Sequence, residues 1–448
     1  MQVTVVGAGR VGLSTALSFA YIGHEVTCVD NRKEAIEPLR RRRPTFFEPG
    51  IAELLQQTDI EFSDRLTRGA AAAPVLTVAV GTPPLPDGKA DVSAVESVAS
   101  EVASLLPAGR STVFVIKSTV PPGTSRRVQD LIDDSLAADG TSVSVAANPE
   151  FLRGSTSLLD TLCPDRIVLG TSDADASDAL TELYRPIIEQ RFPLPAPISH
   201  PKRPARVPVM LTTPVNAELI KYVSNAFLAA RLSFVNEIAG LADRIGADIT
   251  EVMKGVGLDP RIGSSYLEAG VGWGGPCFGK DTSALLSLGE ENGYEMPVLQ
   301  STIIANDRQR RAVVGKLERA LGGLTGRTVG VLGLAYKAGT DEVIDSPALA
   351  VASGLIEVGA HVRGFDPMAE AAARTKYPHL QIEYCNTPLD TARGCDALVV
   401  MCDWPEFMDL PFERLAAAMR GTTLLDARNA LERRSVEGSG LTYPGIGR

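Results

Sequence analysis

Residues 2–12 read Gln-Val-Thr-Val-Val-Gly-Ala-Gly-Arg-Val-Gly, a short β-rich run that leads into a glycine-rich turn. A helical pattern follows, and a second strand-like run, residues 26–29, ends in Asp30. This order predicts a dinucleotide site, because the glycines allow close approach of a pyrophosphate and the strand-end carboxylate binds the adenosine ribose. An acid there favours NAD over NADP, although Arg32 and Lys33 leave NADP as the alternative. The predicted cofactor contacts are Gly7, Gly9, Arg10, Val11, Gly12 and Asp30.

Three further apolar runs in the first half of the chain each end in a polar loop. They cover residues 75–80, 112–116 and 143–147. Near-continuous β runs are typical of a parallel sheet, whose ligands collect at the carboxyl ends of the strands. Thr119 follows the second run and Glu150 follows the third. The sequence therefore predicts that these two side chains face one crevice.

The chain repeats this organisation after residue 326. Residues 328–337, Thr-Val-Gly-Val-Leu-Gly-Leu-Ala-Tyr-Lys, form another predicted strand and glycine turn, and the run 362–365 ends in Asp366. A single glycine pair suits a nucleotide-sugar or monophosphate site better than a second dinucleotide site. The predicted fold is α/β, with two doubly wound Rossmann-like domains joined by a long central helix. The predicted divisions are an NAD-binding domain (1–213), a central helical dimerisation region with a cysteine loop (214–310) and a nucleotide-sugar-binding domain (311–448).

The middle of the chain contains a proline-rich stretch and then a long helical pattern. Residues 186–214 have little periodicity and predict an extended surface loop or linker. Residues 215–245 carry apolar side chains on nearly every helical face, so this helix is expected to join the domains or to pack against a second subunit. Lys221 and Asn225 are four residues apart and share one face of it. An ammonium and an amide stacked on an apolar helix are typical of oxyanion ligands, whereas an isolated lysine usually extends to water.

Residues 274–281, Gly-Gly-Pro-Cys-Phe-Gly-Lys-Asp, place a thiol, an amine and a carboxylate together. Cys277 lies between a glycine turn and a predicted helix, where the positive end of the helix dipole favours the nucleophilic thiolate. Asp281 is four residues later and would lie on the same helical face, where it could handle a proton or orient water. The alternative for an isolated cysteine is a buried side chain in a glycine turn.

Length and composition predict a large soluble enzyme. The chain has 448 residues, 44% of them hydrophobic, and a net charge of -10 at pH 7, with no basic stripe that would indicate nucleic-acid binding. No apolar run is long enough for a membrane span, and the first residues already form a strand rather than a signal peptide. The six cysteines lack metal-like spacing. We therefore expect reduced thiols, no metal site and a cytoplasmic location.

Motifs along nearly the whole chain resemble one enzyme family. The sequence is similar to UDP-glucose 6-dehydrogenases, within the UDP-glucose/GDP-mannose dehydrogenase family, and the forms around Asn225 and Cys277 resemble the glucose branch. The resemblance implies oxidation of the C6 hydroxyl of a nucleotide sugar to a carboxylate with two NAD, in a homodimer or higher homo-oligomer. The matching motifs are residues 7–12, 47–50, 80–83, 118–124, 148–153, 221–229, 261–263, 274–281 and 333–337.

The same resemblance implies a role for each candidate residue. Cys277 would form a thiohemiacetal and then a thioester with the substrate. Lys221 and Asn225 would stabilise oxyanions, and Asp281, Thr119 and Glu150 would position and activate water. The further implied NAD contacts are Thr82, Thr119, Glu150 and Lys280. The implied substrate contacts are Phe151, Leu152, Lys221, Asn225, Tyr266, Leu267, Gly274 and Lys337, with Arg261 reaching into the neighbouring subunit's site.

Three departures from the family pattern leave the substrate open. Gly154 and Ser155 stand where many members have Glu-Gly, and Ile344 stands where many have an arginine that would contact the cofactor phosphate. The proline-rich loop around residues 190–213 is also longer than usual. UDP-glucose is the expected substrate, with dTDP-glucose or an N-acetylhexosamine donor as the alternative. A non-catalytic nucleotide-sugar binder is the alternative of a different class.

Overall fold

The computed structural model describes residues 1–136, 140–196, 198 and 203–448. The chain divides into two compact units, Met1–Ser224 and Asn225–Arg448. Each unit contains a twisted sheet with helices on both faces, so the predicted α/β fold with two doubly wound domains is confirmed. The division into three functional regions stays a prediction.

The first unit is built on an eight-stranded sheet within its described residues, in the order β3-β2-β1-β4-β5-β6-β7-β8. All neighbouring strands are parallel except β6 and β7, which are antiparallel. Because the connections run outward in both directions from β1, the carboxyl ends of β1 and β4 flank the switch point where ligands bind in such sheets. The strands are β1 (Gln2–Val6), β2 (Glu25–Val29), β3 (Ile60–Ser63), β4 (Val75–Val78), β5 (Ser111–Ile116), β6 (Ser142–Ala147), β7 (Ile167–Gly170) and β8 (Val209–Thr212).

Helices cover both faces of this sheet because its inner strands are apolar on both sides. Val113 and Val115 of β5 belong to one hydrophobic core, whereas Phe114 and Ile116 belong to the other. Alternation between two cores explains why the run is continuously hydrophobic. The helices are α1 (Arg10–Tyr21), α2 (Lys33–Arg40), α3 (Ile51–Gln57), α4 (Arg68–Ala71), α5 (Ser93–Leu105), α6 (Thr124–Asp133), α7 (Ser157–Leu162) and α8 (Ala174–Glu189).

Helix α9 (Pro214–Ile245) has one buried face and one exposed face. Tyr222 and Val235 are among its fully buried side chains, whereas Phe227 is 62% exposed and Phe234 is 59% exposed. The exposed side chains recur at steps of four or seven residues and therefore form one stripe. Burial on every face is thus not reached within a single chain. The stripe consists of Val215, Leu219, Val223, Phe227, Phe234, Leu241 and Ile245.

The second unit contains a smaller, fully parallel sheet in the order β11-β10-β9-β12-β13. Its strands also alternate between two cores: Val399 of β12 packs in one and Val400 in the other. The strands are β9 (Thr328–Leu332), β10 (His361–Phe365), β11 (Ile382–Tyr384), β12 (Ala397–Val400) and β13 (Thr423–Asp426). The helices are α10 (Ile249–Gly257), α11 (Gly275–Glu291), α12 (Pro297–Leu321), α13 (Pro347–Glu357), α14 (Glu370–Lys376), α15 (Pro388–Ala392), α16 (Pro405–Met408), α17 (Phe412–Ala418) and α18 (Arg433–Gly438).

The proline-rich stretch differs in part from the predicted linker. Helix α8 continues through Pro186, and residues 209–212 form β8, which pairs in parallel with β7. Strand β8 is stabilised by pairing with β7, which is far from it in the sequence, and its own four residues carry little strand pattern. The sequence therefore did not predict it. Part of the predicted loop, Pro197, Ser199, His200, Pro201 and Lys202, lies outside the described residues. Among the helices that are described, none is both long and apolar enough to cross a membrane.

Candidate active site

The glycine-rich turn between β1 and α1 leaves room for a ligand in close contact with the main chain. Gly7 has φ +105°, and a Cβ there would lie 2.4 Å from the carbonyl oxygen of Ala79. A Cβ on Gly12 would lie 1.8 Å from the carbonyl oxygen of Gly7, so this position cannot hold a larger residue without moving the turn. Gly9, the residue that precedes α1, has open space around it. The turn therefore fits a pyrophosphate at the uncapped start of the helix.

Asp30 closes this turn at the end of β2. Its carboxylate accepts a hydrogen bond from the backbone N–H of Ala8 at 2.8 Å. The guanidinium of Arg32 donates to both carboxylate oxygens, at 3.0 and 2.9 Å. Burial opposes ionisation, but the hydrogen bonds from Arg32 and Ala8 hold the pKa of Asp30 below its usual value. An ionised acid at this place can accept hydrogen bonds from ribose hydroxyls and disfavours a 2′-phosphate.

The loops after β4 and β5 are bound to each other. The Thr82 hydroxyl donates to the carbonyl oxygen of Thr119 at 2.8 Å, and the Ser118 hydroxyl donates to that of Val80 at 2.7 Å. The structure thus brings two predicted cofactor contacts, Thr82 and Thr119, together. Glu218 of α9 supports the same loop, because its carboxylate accepts a backbone hydrogen bond from Gly123 at 2.6 Å.

Glu150 and Lys221 form a buried ion pair in the first unit. Glu150 Oε1 lies 3.0 Å from Lys221 Nζ, and the two side chains are only 8% and 3% exposed. The other carboxylate oxygen accepts a hydrogen bond from the Leu152 backbone N–H at 2.5 Å. Burial would raise the pKa of Glu150, but the charge of Lys221 and these hydrogen bonds hold it below its usual value. The sequence had predicted both residues as functional but not their contact.

The Phe151 ring lies close to two cations, Arg166 and the Lys221 of this ion pair. Its ring centroid is 3.7 Å from the Arg166 guanidinium carbon and 5.7 Å from Lys221 Nζ. The aromatic face stabilises both charges and restricts the position of the lysine. Phe151 therefore already has a role in holding Lys221, besides its predicted role in substrate binding.

Lys117 is a buried residue that the sequence analysis did not select. Its Nζ donates to Asn148 Oδ1 at 3.2 Å and to the Tyr184 hydroxyl at 3.3 Å. Both partners are neutral, and burial lowers the pKa of Lys117 to about 8 despite the nearby charge of Glu150. A lysine directly after the apolar run of β5 was the signal that could have revealed it.

In the second unit, Cys277 lies in the first turn of α11 and is partly exposed, whereas the other five cysteines are buried. Two glycines make this start of the helix possible. A Cβ on Gly274 would lie 2.0 Å from the carbonyl oxygen of Asp345, and Gly275 has φ +86°. The thiol is therefore placed at a helix N-terminus, as predicted, by a turn that excludes side chains.

Asp281 lies one turn farther along α11 and is fully buried. Asn225 Nδ2 lies 2.6 Å from its Oδ2, and Lys280 Nζ lies 2.7 Å from its Oδ1. Cys277 and Asp281 thus share a helix, as the spacing predicted. Lys280, a predicted NAD contact, is paired with Asp281 in this structure.

Trp273, which directly precedes the glycine turn of Cys277, is held by side chains of helix α12. The sequence analysis did not connect this helix with the site. Asn306 accepts a hydrogen bond from the Trp273 backbone N–H at 2.8 Å and donates to its carbonyl oxygen at 3.0 Å. Arg310 donates to the same carbonyl oxygen at 2.6 Å and to Asp345 Oδ1 at 2.7 Å. These contacts hold Trp273, which directly precedes the glycines, and Asp345, whose backbone lies against Gly274.

The remaining predicted contacts are spread over both units. Arg261 is largely exposed and pairs with Asp259 at 2.7 Å. Tyr266 has φ +59°, Leu267 packs against a hydrophobic core, and Lys337 Nζ lies 5.9 Å from the Tyr336 ring centroid. Arg10 donates to the carbonyl oxygen of Phe47 at 3.4 Å. Their roles, and those of Val11 and Gly274, stay predictions. No group of three or more His, Cys, Asp or Glu residues suitable for a metal ion occurs within the described part of the chain.

Known proteins match this chain along its length. Models of the UDP-glucose/GDP-mannose dehydrogenase family match residues 1–188 (NAD binding domain), 215–308 (central domain) and 330–433 (UDP binding domain). A UDP-glucose 6-dehydrogenase of Rhizobium meliloti is 40% identical, covering 100% of both chains. The solved structure of a UDP-glucose dehydrogenase from Pyrobaculum islandicum has a TM-score of 0.88 at 37% identity and covers 100% of this chain and 97% of its own. That of a UDP-D-ManNAc dehydrogenase from Pyrococcus horikoshii has a TM-score of 0.85 at 26% identity and covers 100% and 99%.

Proposed function

The chain belongs to the UDP-glucose/GDP-mannose dehydrogenase family, and from this premise we propose that it oxidises the C6 hydroxyl of UDP-glucose to the carboxylate of UDP-glucuronate with two NAD. It is an NAD-dependent oxidoreductase. The observation that carries the proposal is the partly exposed Cys277 thiol at the start of α11, one turn from the buried Asp281. A thiol so placed is suited to form an acyl intermediate, which a simple alcohol dehydrogenase does not need.

The residues of the first unit fit NAD. The glycine turn leaves room at Gly9 for the pyrophosphate, and the ionised Asp30 suits the ribose hydroxyls. Bound NAD supplies a hydride acceptor for each of the two oxidations. We assign Thr82 and Thr119, which are bound to each other, to the same cofactor site.

Cys277 captures the aldehyde that the first oxidation produces. Its thiolate attacks C6, a C–S bond forms, and the carbonyl π electrons move to oxygen to give a thiohemiacetal. Lys221 and Asn225 stabilise the oxyanion as hydrogen-bond donors. Retention on the sulfur keeps a tetrahedral carbon with a C–H bond from which the second hydride can leave.

Water completes the reaction at the thioester. Asp281, Thr119 and Glu150 orient the water, and one of the two carboxylates accepts its proton as the water oxygen forms a C–O bond with the thioester carbon. The tetrahedral intermediate then collapses, and the C–S bond breaks to return the thiolate. The overall balance is one alcohol and one water converted to one carboxylate, two hydrides and three protons. An acyl group on sulfur hydrolyses readily because a thiolate is a good leaving group.

The exposed stripe on α9 supports a homodimer. Seven large apolar side chains on one face of one helix exceed what isolated surface residues account for, and a second copy would bury them symmetrically. Arg261, which is exposed, would contribute to the partner's substrate site. We assign the enzyme to the cytoplasm, where reduced thiols persist.

Turnover with a panel of nucleotide sugars tests the proposal. UDP-glucose should yield two NADH per molecule, by absorbance, and UDP-glucuronate, by mass spectrometry. The Cys277→Ala variant should bind NAD as the wild type does but form no carboxylate at a comparable rate. Wild-type-like carboxylate formation by this variant would contradict the thioester route.

Another nucleotide sugar is the second candidate substrate. The family resemblance implies a carboxylate near the sugar at the position of Gly154, and a UDP-D-ManNAc dehydrogenase of similar structure is 26% identical to this chain. A higher kcat/KM for an N-acetylhexosamine or dTDP-hexose donor than for UDP-glucose would identify that substrate. Absence of turnover with every donor, together with tight nucleotide-sugar binding, would indicate a non-catalytic binder.

A further inference from the structure

A small cavity in the first unit has both Lys117 and Glu150 in its wall. It has a volume of about 40 Å³, and its wall includes Lys117, Asn148, Glu150 and Tyr184. A water molecule needs about 10–15 Å³ and two to four polar partners, so the cavity can hold water. Glu150 is thus in direct contact with Lys221, and Lys117, on which its charge acts, lines the same cavity.

Among the described residues, the Lys117 amine has two neutral hydrogen-bond partners and no carboxylate within ion-pair distance. Tyr184 lies 2.5 Å from Asn148 Oδ1 and donates to it, so the amide oxygen accepts from both the phenol and Lys117. The amide nitrogen of Asn148 donates to the carbonyl oxygen of Val168 at 2.9 Å, which fixes the orientation of the amide. A buried ammonium with two neutral acceptors loses its proton more easily than one in water.

Two other charged groups of the cavity wall, Asp160 and Arg166, have partners of their own. Asp160 accepts from Arg153 at 3.1 Å, and Arg166 lies over the Phe151 ring and donates to Ser224 at 3.3 Å. The titratable and charged groups that share the cavity wall with Lys117, or act on it by their charge, are Glu150, Asp160, Asp165, Arg166, Tyr184 and Lys221. Glu150 is the carboxylate whose charge acts on Lys117.

We propose that Lys117 is a positioning residue of the reaction, whose charge beside this shared cavity sets how readily Glu150 takes a proton from water. The inference rests on the proposed function, in which Glu150 helps to activate water. While Lys117 is charged, two lysines hold the carboxylate as a weak base. When Lys117 loses its proton, Lys221 still keeps Glu150 ionised, but the carboxylate becomes more basic.

Carboxylate formation should therefore accelerate as pH rises through the titration of Lys117, near pH 8. One neighbouring charge shifts a carboxyl pKa by about 1–3 units, which with a Brønsted slope of about one half gives about a threefold to thirtyfold increase. Rapid-quench measurement of carboxylate formation between pH 6.5 and 10 would record it.

Two substitutions separate charge from structure. Lys117→Met is never charged and should lack the increase, remaining in the faster form throughout. Lys117→Arg is always charged and should remain in the slower form. The proposal would be overturned if the rate of carboxylate formation by Lys117→Met still increased with pH as it does in the wild type. If this variant fails to fold, Tyr184→Phe serves instead, because loss of an acceptor should move the increase to lower pH, and an unmoved profile would also overturn the proposal.

A stability measurement distinguishes failure of this inference from failure of the proposed function. The pKa of Lys117 is lowered from 10.5 to about 8, so between these values the unfolded chain holds this proton and the folded chain does not, and the contribution of Lys117 to stability rises with pH. The difference in unfolding midpoint between wild type and Lys117→Met should change across that range even if no nucleotide sugar is turned over. A constant difference would show that Lys117 does not titrate there and would sink the inference alone.

Discussion

The side-chain amide of Asn225 lies 2.6 Å from a carboxylate oxygen of Asp281. The two residues come from α9 and α11, and both are buried. An Asn side chain carries an NH2 donor and an oxygen acceptor, and a carboxylate can only accept a hydrogen bond. The contact therefore points the nitrogen of Asn225, rather than its oxygen, toward Asp281. Substrate binding has to compete with Asp281 for that nitrogen if Asn225 is to stabilise an oxyanion.

Asn225→Asp should destabilise the chain in a pH-dependent way. It places a second buried carboxylate against Asp281, so one of the pair must hold a proton more tightly in the folded state than in the unfolded state. Stability is then lost as pH rises above the ordinary carboxyl range, and we expect a deficit of about 1–3 kcal/mol at pH 8 that is much smaller at pH 4.5. Urea unfolding at both pH values measures it. Asn225→Ala adds no charge and should therefore lose a similar amount of stability at pH 8 and at pH 4.5. An Asn225→Asp variant that loses the same amount at both pH values would contradict this explanation.

Asp30→Ser should shift cofactor preference toward NADP. The substitution removes the carboxylate that repels a 2′-phosphate and releases Arg32, whose guanidinium is bound to it at 2.9 Å. A charge-assisted hydrogen bond contributes about 1.5–3 kcal/mol, or about ten- to a hundredfold in the ratio of kcat/KM values for the two cofactors. Asp30→Glu is the control that keeps the charge. An unchanged ratio for Asp30→Ser would mean that another group selects the cofactor.

Ile344→Arg should lower the KM for NAD. The family resemblance places an arginine here as a cofactor-phosphate contact, and this chain has a partly buried isoleucine instead. A new contact of that kind would improve affinity by about ten- to a hundredfold. Ile344→Gln tests whether charge is required. Glu342 accepts the Ile344 backbone N–H at 2.9 Å and could capture the new guanidinium, in which case the KM would stay unchanged or rise and the prediction would be wrong.

Charge on the α9 stripe should dissociate the proposed homodimer. Phe227→Glu together with Phe234→Glu places two carboxylates where large exposed apolar side chains now lie. We expect light scattering to give 47.5 kDa for the variant and about twice that for the wild type. Replacement of an exposed side chain outside the stripe, Tyr294→Glu, is the matched control. A wild-type monomer with full activity at micromolar concentration would contradict the dimer.

Local patterns were sufficient for the glycine turn and Asp30, because strand, turn, helix and strand follow one another within the first thirty residues. The same holds for Cys277 and Asp281, whose spacing fits one helix. Contacts between distant segments left weaker signals. The strand β8 depends on pairing with β7, and the ion pair between Glu150 and Lys221 joins residues 71 positions apart. The periodicity of α9 showed that it was apolar but could not show which face the chain leaves uncovered.

The distribution of the cysteines makes the chain suitable for active-site titration. Five of the six thiols are buried, and Cys277 is the one that solvent reaches. A water-soluble thiol reagent applied to the native protein should therefore label about one sulfur per chain before unfolding exposes the rest. With Cys277 as the proposed catalytic thiol, the labelled fraction would count the intact sites in a preparation, so that specific activity could be expressed per site rather than per milligram of protein.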